Sequence, residues 1–161
     1  MINIKKISIV IFLFLQSCME PDIEKLWDIS IENIFETKGF ARSVIVEGSR
    51  AYVAAGQSGT QIWDLVENTL LKDFTGYEEG GTFLEFQDLA LIGRDPVNSL
   101  LFLSESNQDV KIFHLDETDS LIYRNTIMSA RTKDFVSFPS SQDQFVMYSA
   151  DNDDGLKWHF Y

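Results

Sequence analysis

Three stretches of this chain can be laid on one another without a gap, and that repetition restricts its possible folds more than any other feature. Ala51-Tyr52-Val53-Ala54, running on to Gly59-Thr60-Gln61-Ile62-Trp63-Asp64-Leu65, aligns with Leu101-Phe102-Leu103-Ser104 through Asp109-Val110-Lys111-Ile112-Phe113-His114-Leu115. It aligns equally with Met147-Tyr148-Ser149-Ala150 through Gly155-Leu156-Lys157-Trp158-His159-Phe160-Tyr161. Tyr52, Phe102 and Tyr148 coincide, as do Ile62, Ile112 and Trp158, at offsets of 50 and 46 residues. A small unit repeated at such a period cannot bury its apolar side by itself and has to stack on its neighbours. Periods of about 40–50 residues built from strands are those of propeller blades.

The rest of the chain agrees. No ten-residue stretch after "MEPDIE" carries a helical apolar stripe. Short runs such as "SVIVEG", "AYVAAG", "LALIG", "LLFLSES", "DFVSF" and "QFVMYSA" alternate with Gly, Asn, Asp, Ser and Pro clusters, the pattern of strands and turns. Each unit opens with a strand that reads as buried: Ser43 to Val46, Asp88 to Leu91, Asp134 to Phe138. A partial fourth echo comes first, where "KLWDIS" at Lys25 to Ser30 matches "QIWDL" and "IENIFETKGF" matches "VENTLLKDFTG". The expected fold is all-β, an incomplete β-propeller of about three four-stranded blades, with units near 26–65, 66–115 and 116–161. Strands buried on both faces account for runs like "SVIV" and "AYVAA". Tyr52, Phe102 and Tyr148 are expected to fill the space between blades, and Gly48, Gly56 and Gly59 to sit at hairpin turns. Three blades are fewer than the usual minimum of about four, and "LKWHFY" reads as the interior of a strand. The chain is therefore expected to be a fragment of a longer propeller, to close as an irregular arc, or to complete a ring as a homo-oligomer.

Gly39 to Leu65 is similar to the LVIVD repeat, a β-propeller repeat of bacterial and archaeal exported and surface proteins. Ala41, Arg42, Val44, Val46, Gly48, Ala51, Tyr52, Val53, Ala54, Gly56, Gly59, Ile62 and Asp64 match its pattern. Thr60 stands where Leu is usual and Trp63 where an aliphatic residue is common. The later two units have lost most of the glycines. The resemblance implies a propeller in a surface setting and brings no catalytic residues, because the repeat is a structural module.

At the N-terminus, Lys5 and Lys6 precede an apolar run from Ile7 to Leu15 broken by Ser8, as in a secretory signal. The run is shorter than the roughly 20 residues that cross a bilayer. Leu15-Gln16-Ser17-Cys18 resembles a bacterial lipobox, with Gln16 an unusual residue for its position. The resemblance implies cleavage of residues 1–17, acylation of Cys18, and a tether over 18–25 leading into repeats over 26–161. An ordinary cleaved signal and an uncleaved anchor are the alternatives, and large Leu15 fits the ordinary cleavage site poorly. Two or three acyl chains anchor stably where one does not. Cys18 is the single cysteine, so no disulfide staples the domain. Met19 is not the Asp that retains enterobacterial lipoproteins at the inner membrane, which favours the outer membrane of a bacterial envelope.

Loss of two lysines and no acid with residues 1–17 takes the net charge from −12 to −14. Such a surface repels nucleic acid and keeps a crowded protein soluble. Asp151, Asn152, Asp153 and Asp154 share one turn, where oxygen ligands would suit Ca²⁺. The Gly and distant Glu of an EF-hand are missing, and Asn, Asp and Gly form turns on their own account. No other cofactor is suggested. His114 and His159 fall one alignment position apart, hence on opposite sheet sides, and do not form a catalytic or metal pair. The serines of "EGSRA" and "GQSGT" are not in a nucleophile elbow, and Glu78, Glu79 and Glu85 have no assigned opposite partner.

The expected function is therefore non-catalytic binding of a protein or glycan by a propeller module tethered to a membrane. The contact loops are expected around Gln57, Asn107 and Asp153. The alternative is an envelope hydrolase or lactonase-like enzyme with a divalent metal at Asp151, Asp153 and Asp154.

Overall fold

The computed structural model describes residues 30–128, 131–141 and 144–161. Cys18, the signal residues 1–17, the tether 18–25 and most of "KLWDIS" lie outside the described residues. Residues 30–42 carry no strand, and every strand among the described residues lies in the compact unit Phe35–Tyr161.

The described residues are all-β, without an α-helix, so none of them forms a helix able to cross a membrane. β1 (Ser43–Glu47), β2 (Arg50–Ala54), β3 (Thr60–Asp64) and β4 (Thr69–Phe74) form a first sheet in chain order. β5 (Gly76–Glu79) and β6 (Thr82–Glu85) make a separate hairpin. The second sheet contains β7 (Leu89–Asp95), β8 (Leu100–Glu105), β9 (Val110–Leu115) and β10 (Leu121–Ile127). β11 (Thr132–Ser141), β12 (Gln144–Asp151) and β13 (Gly155–Phe160) form the third. All pairings are antiparallel meanders, and no sheet closes into a barrel. β7 lies against β1, β2 and β11, so the first strands of the three sheets gather on one side. The third sheet has three strands where four were expected, and the β5–β6 hairpin is an addition between sheets. The repeated segments end at β3, β9 and β13, which offsets the sequence units from the sheets.

The corners follow from local chemistry. Asp64 accepts the backbone N–H groups of Val66 and Glu67, Asp95 those of Val97 and Asn98, and Asp116 those of Thr118 and Ser120. Each turn then carries a left-handed residue, Asn68, Ser99 or Asp119. An Asp side chain that mimics a backbone acceptor holds such a turn closed. Gly59 is obligatory for another reason: its φ is +79°, and a Cβ there would lie 1.9 Å from the Phe74 carbonyl oxygen.

Pleating sends alternate residues of each sheet to opposite neighbours. Tyr52, Ala54 and Ile62 of the first sheet pack on Leu89, Leu101, Leu103 and Phe113 of the second, with Tyr77 of the hairpin closing the edge. Phe102, Val110 and Ile112, on the second sheet's other face, pack on Phe145 and Met147 of the third. Each such side chain contributes about 1.5–3 kcal/mol by leaving water.

Three expectations about burial are corrected. Val44 and Val46 of "SVIV" are exposed, because β1 is an edge strand and the alternate residue, Ile45, is the one packed on the core. Val136 and Phe138 on β11 are about half exposed because they stand on the third sheet's outer face, in the rows of Tyr148 and Val146. Tyr148 fills no inter-sheet space: it points to the third sheet's outer face, opposite Phe145 and Met147, where none of the described sheets packs.

Candidate ligand cavity between the second and third sheets

At one end of the second and third sheets, the gap between them opens into a cavity of about 350 Å³. Leu100 and Ile112 line it from β8 and β9; Phe145 and Tyr161 line it from the third sheet. The Phe145 and Tyr161 rings stack at 5.3 Å and 17°, held by reciprocal backbone hydrogen bonds of 3.1 Å. An apolar wall of this kind with a few fixed polar groups is the usual make-up of a small-molecule site, and the volume is at the lower end of the usual range of about 300–1,000 Å³.

Four polar side chains complete the lining: Asn98, His114, Arg124 and Asn125. Asn98 anchors the corner after Asp95 by donating from Nδ2 to Asp95 Oδ2 at 2.8 Å and to the carbonyls of Ser141 and Gln144 at 3.3 and 3.1 Å. This ties the second sheet to the third beside the cavity. His114 projects from β9 on the Leu100 face, and its Nδ1 is buried without a hydrogen-bond partner among the described residues.

Arg124 reaches the cavity through a fault in the strand. β10 and β9 pair Tyr123 with Phe113 and Asn125 with Ile112, so the register slips at Arg124. In a regular strand neighbouring residues face opposite ways; a bulge re-aims one of them. Both Arg124 and Asn125 consequently line the same cavity. Four of the described arginines meet a carboxylate: Arg42 with Asp88 at 2.7 Å, Arg50 with Asp119 at 2.6 Å, Arg94 with Glu47 at 2.8 Å, and Arg131 with Asp153 at 3.3 Å. Arg124 has no carboxylate within salt-bridge distance among the described residues, although the chain carries 25 acids to 13 bases. The arrangement offers a guanidinium, an imidazole and two amides around a stacked aromatic wall.

The residues singled out from sequence lie elsewhere. Gln57, in the β2–β3 turn, borders a hollow of about 250 Å³ that also contains Arg42 and Asp88. Asn107, in the β8–β9 turn, borders a shallow hollow of about 510 Å³ with Arg131 and Lys157. Asp153 joins it through Arg131, so the Asn107 and Asp153 turns come together and Gln57 stays apart. Lys157 Nζ lies 2.9 Å from Asp151 and 2.8 Å from Asp154, and the hydrogen bonds it donates to Asp154 and then Asp151 raise the pKa of its amine. All three candidate Ca²⁺ ligands thus face a cation. Among the described residues no three His, Cys, Asp or Glu side chains converge as a metal site. His159 hydrogen bonds Ser149 at 3.1 Å and shares its sheet face with Met147, towards the second sheet.

Arg124 and Asn98 escaped the sequence reading because neither stands in a motif. His114 is a partly exposed residue of β9, and its place on a strand does not by itself reveal the cavity it borders.

No family model matches the chain, and no curated protein matches it. A solved structure, described as the crystal structure of the computationally designed Ika4 protein, is similar over 80% of this chain and 95% of that chain, at 9% identity and a TM-score of 0.42.

Proposed function

We propose that this chain is a non-catalytic binding module of the bacterial envelope, an incomplete β-propeller tethered through lipidated Cys18, whose cavity takes an acidic glycan. The supporting observation is the Arg124 guanidinium, which meets no carboxylate among the described residues, on the same cavity as the stacked Phe145 and Tyr161 rings. Sugar rings stack on aromatic faces through their C–H groups, amides and imidazole satisfy hydroxyls, and a guanidinium pairs a carboxylate in a two-pronged geometry. A recessed cavity suits such a ligand better than it suits a flat protein surface. The repeat at offsets of 50 and 46 and the sheets meeting at their first strands support the propeller reading.

Calorimetric titration of the purified chain with glucuronate and galacturonate, against glucose and galactose, tests the site. A hydrogen bond to a charged group is worth about 1.5–3 kcal/mol, so the uronates should bind about 10- to 100-fold more tightly, and Arg124→Ala should erase that preference. Equal binding of neutral and acidic sugars, or no binding of either, would reject the acidic-glycan reading. Cys18→Ala should move the protein from the membrane fraction to the soluble one; unchanged fractionation would reject the tether.

A further inference from the structure

The third sheet presents an apolar outer face that matches the interior faces of the other two. Pairing across β11, β12 and β13 sets Val136, Tyr148 and Trp158 in one row and Phe138, Val146 and Phe160 in the next, with Leu156 in the row beyond. In the first sheet, the residues equivalent to Tyr148 and Trp158 are Tyr52 and Ile62, exposed by 2% and 0%. In the second they are Phe102 and Ile112, at 0% and 2%. Tyr148 and Trp158 themselves are 39% and 66% exposed. The side chains that seal each of the first two sheets against the next are repeated in the third with none of the described sheets beyond them.

We infer that this face is a homodimer interface, on which a second copy of the chain packs the identical face across a two-fold axis. Four features point to that occupant. First, the face continues the series of two interfaces already built in the protein, from the same repeat positions, so what suits it is another apolar sheet surface. Second, a head-to-tail partner would have to use the first sheet's outer face, and residues 35–42 already stand there. Phe35 packs edge-on to Trp63 at 5.6 Å, Gln61 Nε2 donates to the Lys38 carbonyl at 3.3 Å, and Lys38 pairs with Asp73 at 2.6 Å. With its outer face covered, the first sheet has no apolar surface to offer a head-to-tail neighbour, which leaves the third sheet's apolar face to meet the same face of a second copy. Third, aromatic side chains of about 150–250 Å² each, half exposed, together with the aliphatic neighbours, amount to roughly 600–700 Å² per copy. Pairing two copies would remove about 1,300 Å², within the range of about 1,200–2,000 Å² for specific interfaces. A contiguous patch of this size marks a contact surface. Fourth, Asp134 at the edge is the one charged residue in these rows, so a chain of net charge −12 has here a region that does not repel its copy.

Sedimentation equilibrium of the full chain at about 5–100 μM tests this, alongside the double variant Tyr148→Lys, Trp158→Lys. The parent should approach two chains in mass and the variant one, with unchanged β-sheet circular dichroism. Raising the salt should strengthen the parent's association, because it screens repulsion between two acidic bodies and leaves apolar contact intact. A parent that stays monomeric throughout overturns the inference. So does a variant that dimerises as well as the parent, or an open-ended series of larger masses, which would signal head-to-tail stacking. A variant that loses its circular dichroism would mean that the face is buried within the chain itself, and that too overturns the inference.

Discussion

Single carboxylates close three of the corners, and their surroundings give the protein a defined stability profile against pH. Backbone N–H donation from Glu67 and Val66 lowers the pKa of Asp64, and donation from Ser120, with help from the Thr118 hydroxyl, lowers that of Asp116. Groups with lowered folded values contribute stability above their unfolded value of 3.8, and that contribution disappears as the pH falls through the folded values. Tyr77 works at the other end. Burial among Phe86, Phe113 and Tyr123, reinforced by Glu79, pushes its phenol from 10.0 to about 12. Its contribution is complete below 10 and is lost as the pH rises towards 12. Chemical denaturation across the pH range should therefore give a plateau with losses at both ends, and Tyr77→Phe should remove the alkaline loss. The Asp-led turns were legible as turn chemistry; the Tyr77 environment was not, since residues from three separate elements create it.

Strands and hairpins were the most readable level, because side-chain alternation and turn residues are local properties of the chain. The errors came where a strand's neighbours matter. "SVIV" reads as buried on both sides, yet β1 is an edge strand with Val44 and Val46 in solvent. Nothing in "LIYRNTI" announces the bulge that sends Arg124 and Asn125 to one cavity, since a register slip belongs to the pairing with β9 and not to β10. Gly93 is similar: its φ lies outside the left-handed region, but a Cβ would come within 2.5 Å of the Phe135 ring. A glycine on β7 thus lets the third sheet approach the second. Gly93→Val should cost about 1–3 kcal/mol by overpacking, measured by urea denaturation, and Gly93→Val with Phe135→Leu should recover part of it. A single variant as stable as the parent would show that the sheets adjust without cost.

For the molecule as a whole, equivalent residues carry unequal weight, and mutation should expose the difference. Phe102→Ala removes a ring sealed between two sheets and should cost about 3–5 kcal/mol. Tyr148→Ala, at the same repeat position, should cost the isolated chain well under half of that, because its outward face is open. Comparable losses would mean that Tyr148 is buried in solution, and would make the dimer inference quantitative if the Tyr148 loss varied with protein concentration. The amino-acid sequence by itself determined the all-β class, the repeat and the aromatic positions that recur in it, because periodicity and turn chemistry are written in residues a few places apart. Tertiary structure alone decided which of those equivalent aromatics are buried, that residues 35–42 cap the first sheet, and that Asn98, His114, Arg124 and Phe145 share one cavity. Those outcomes depend on which sheet faces which, and contacts between residues tens of positions apart leave no local pattern in the chain.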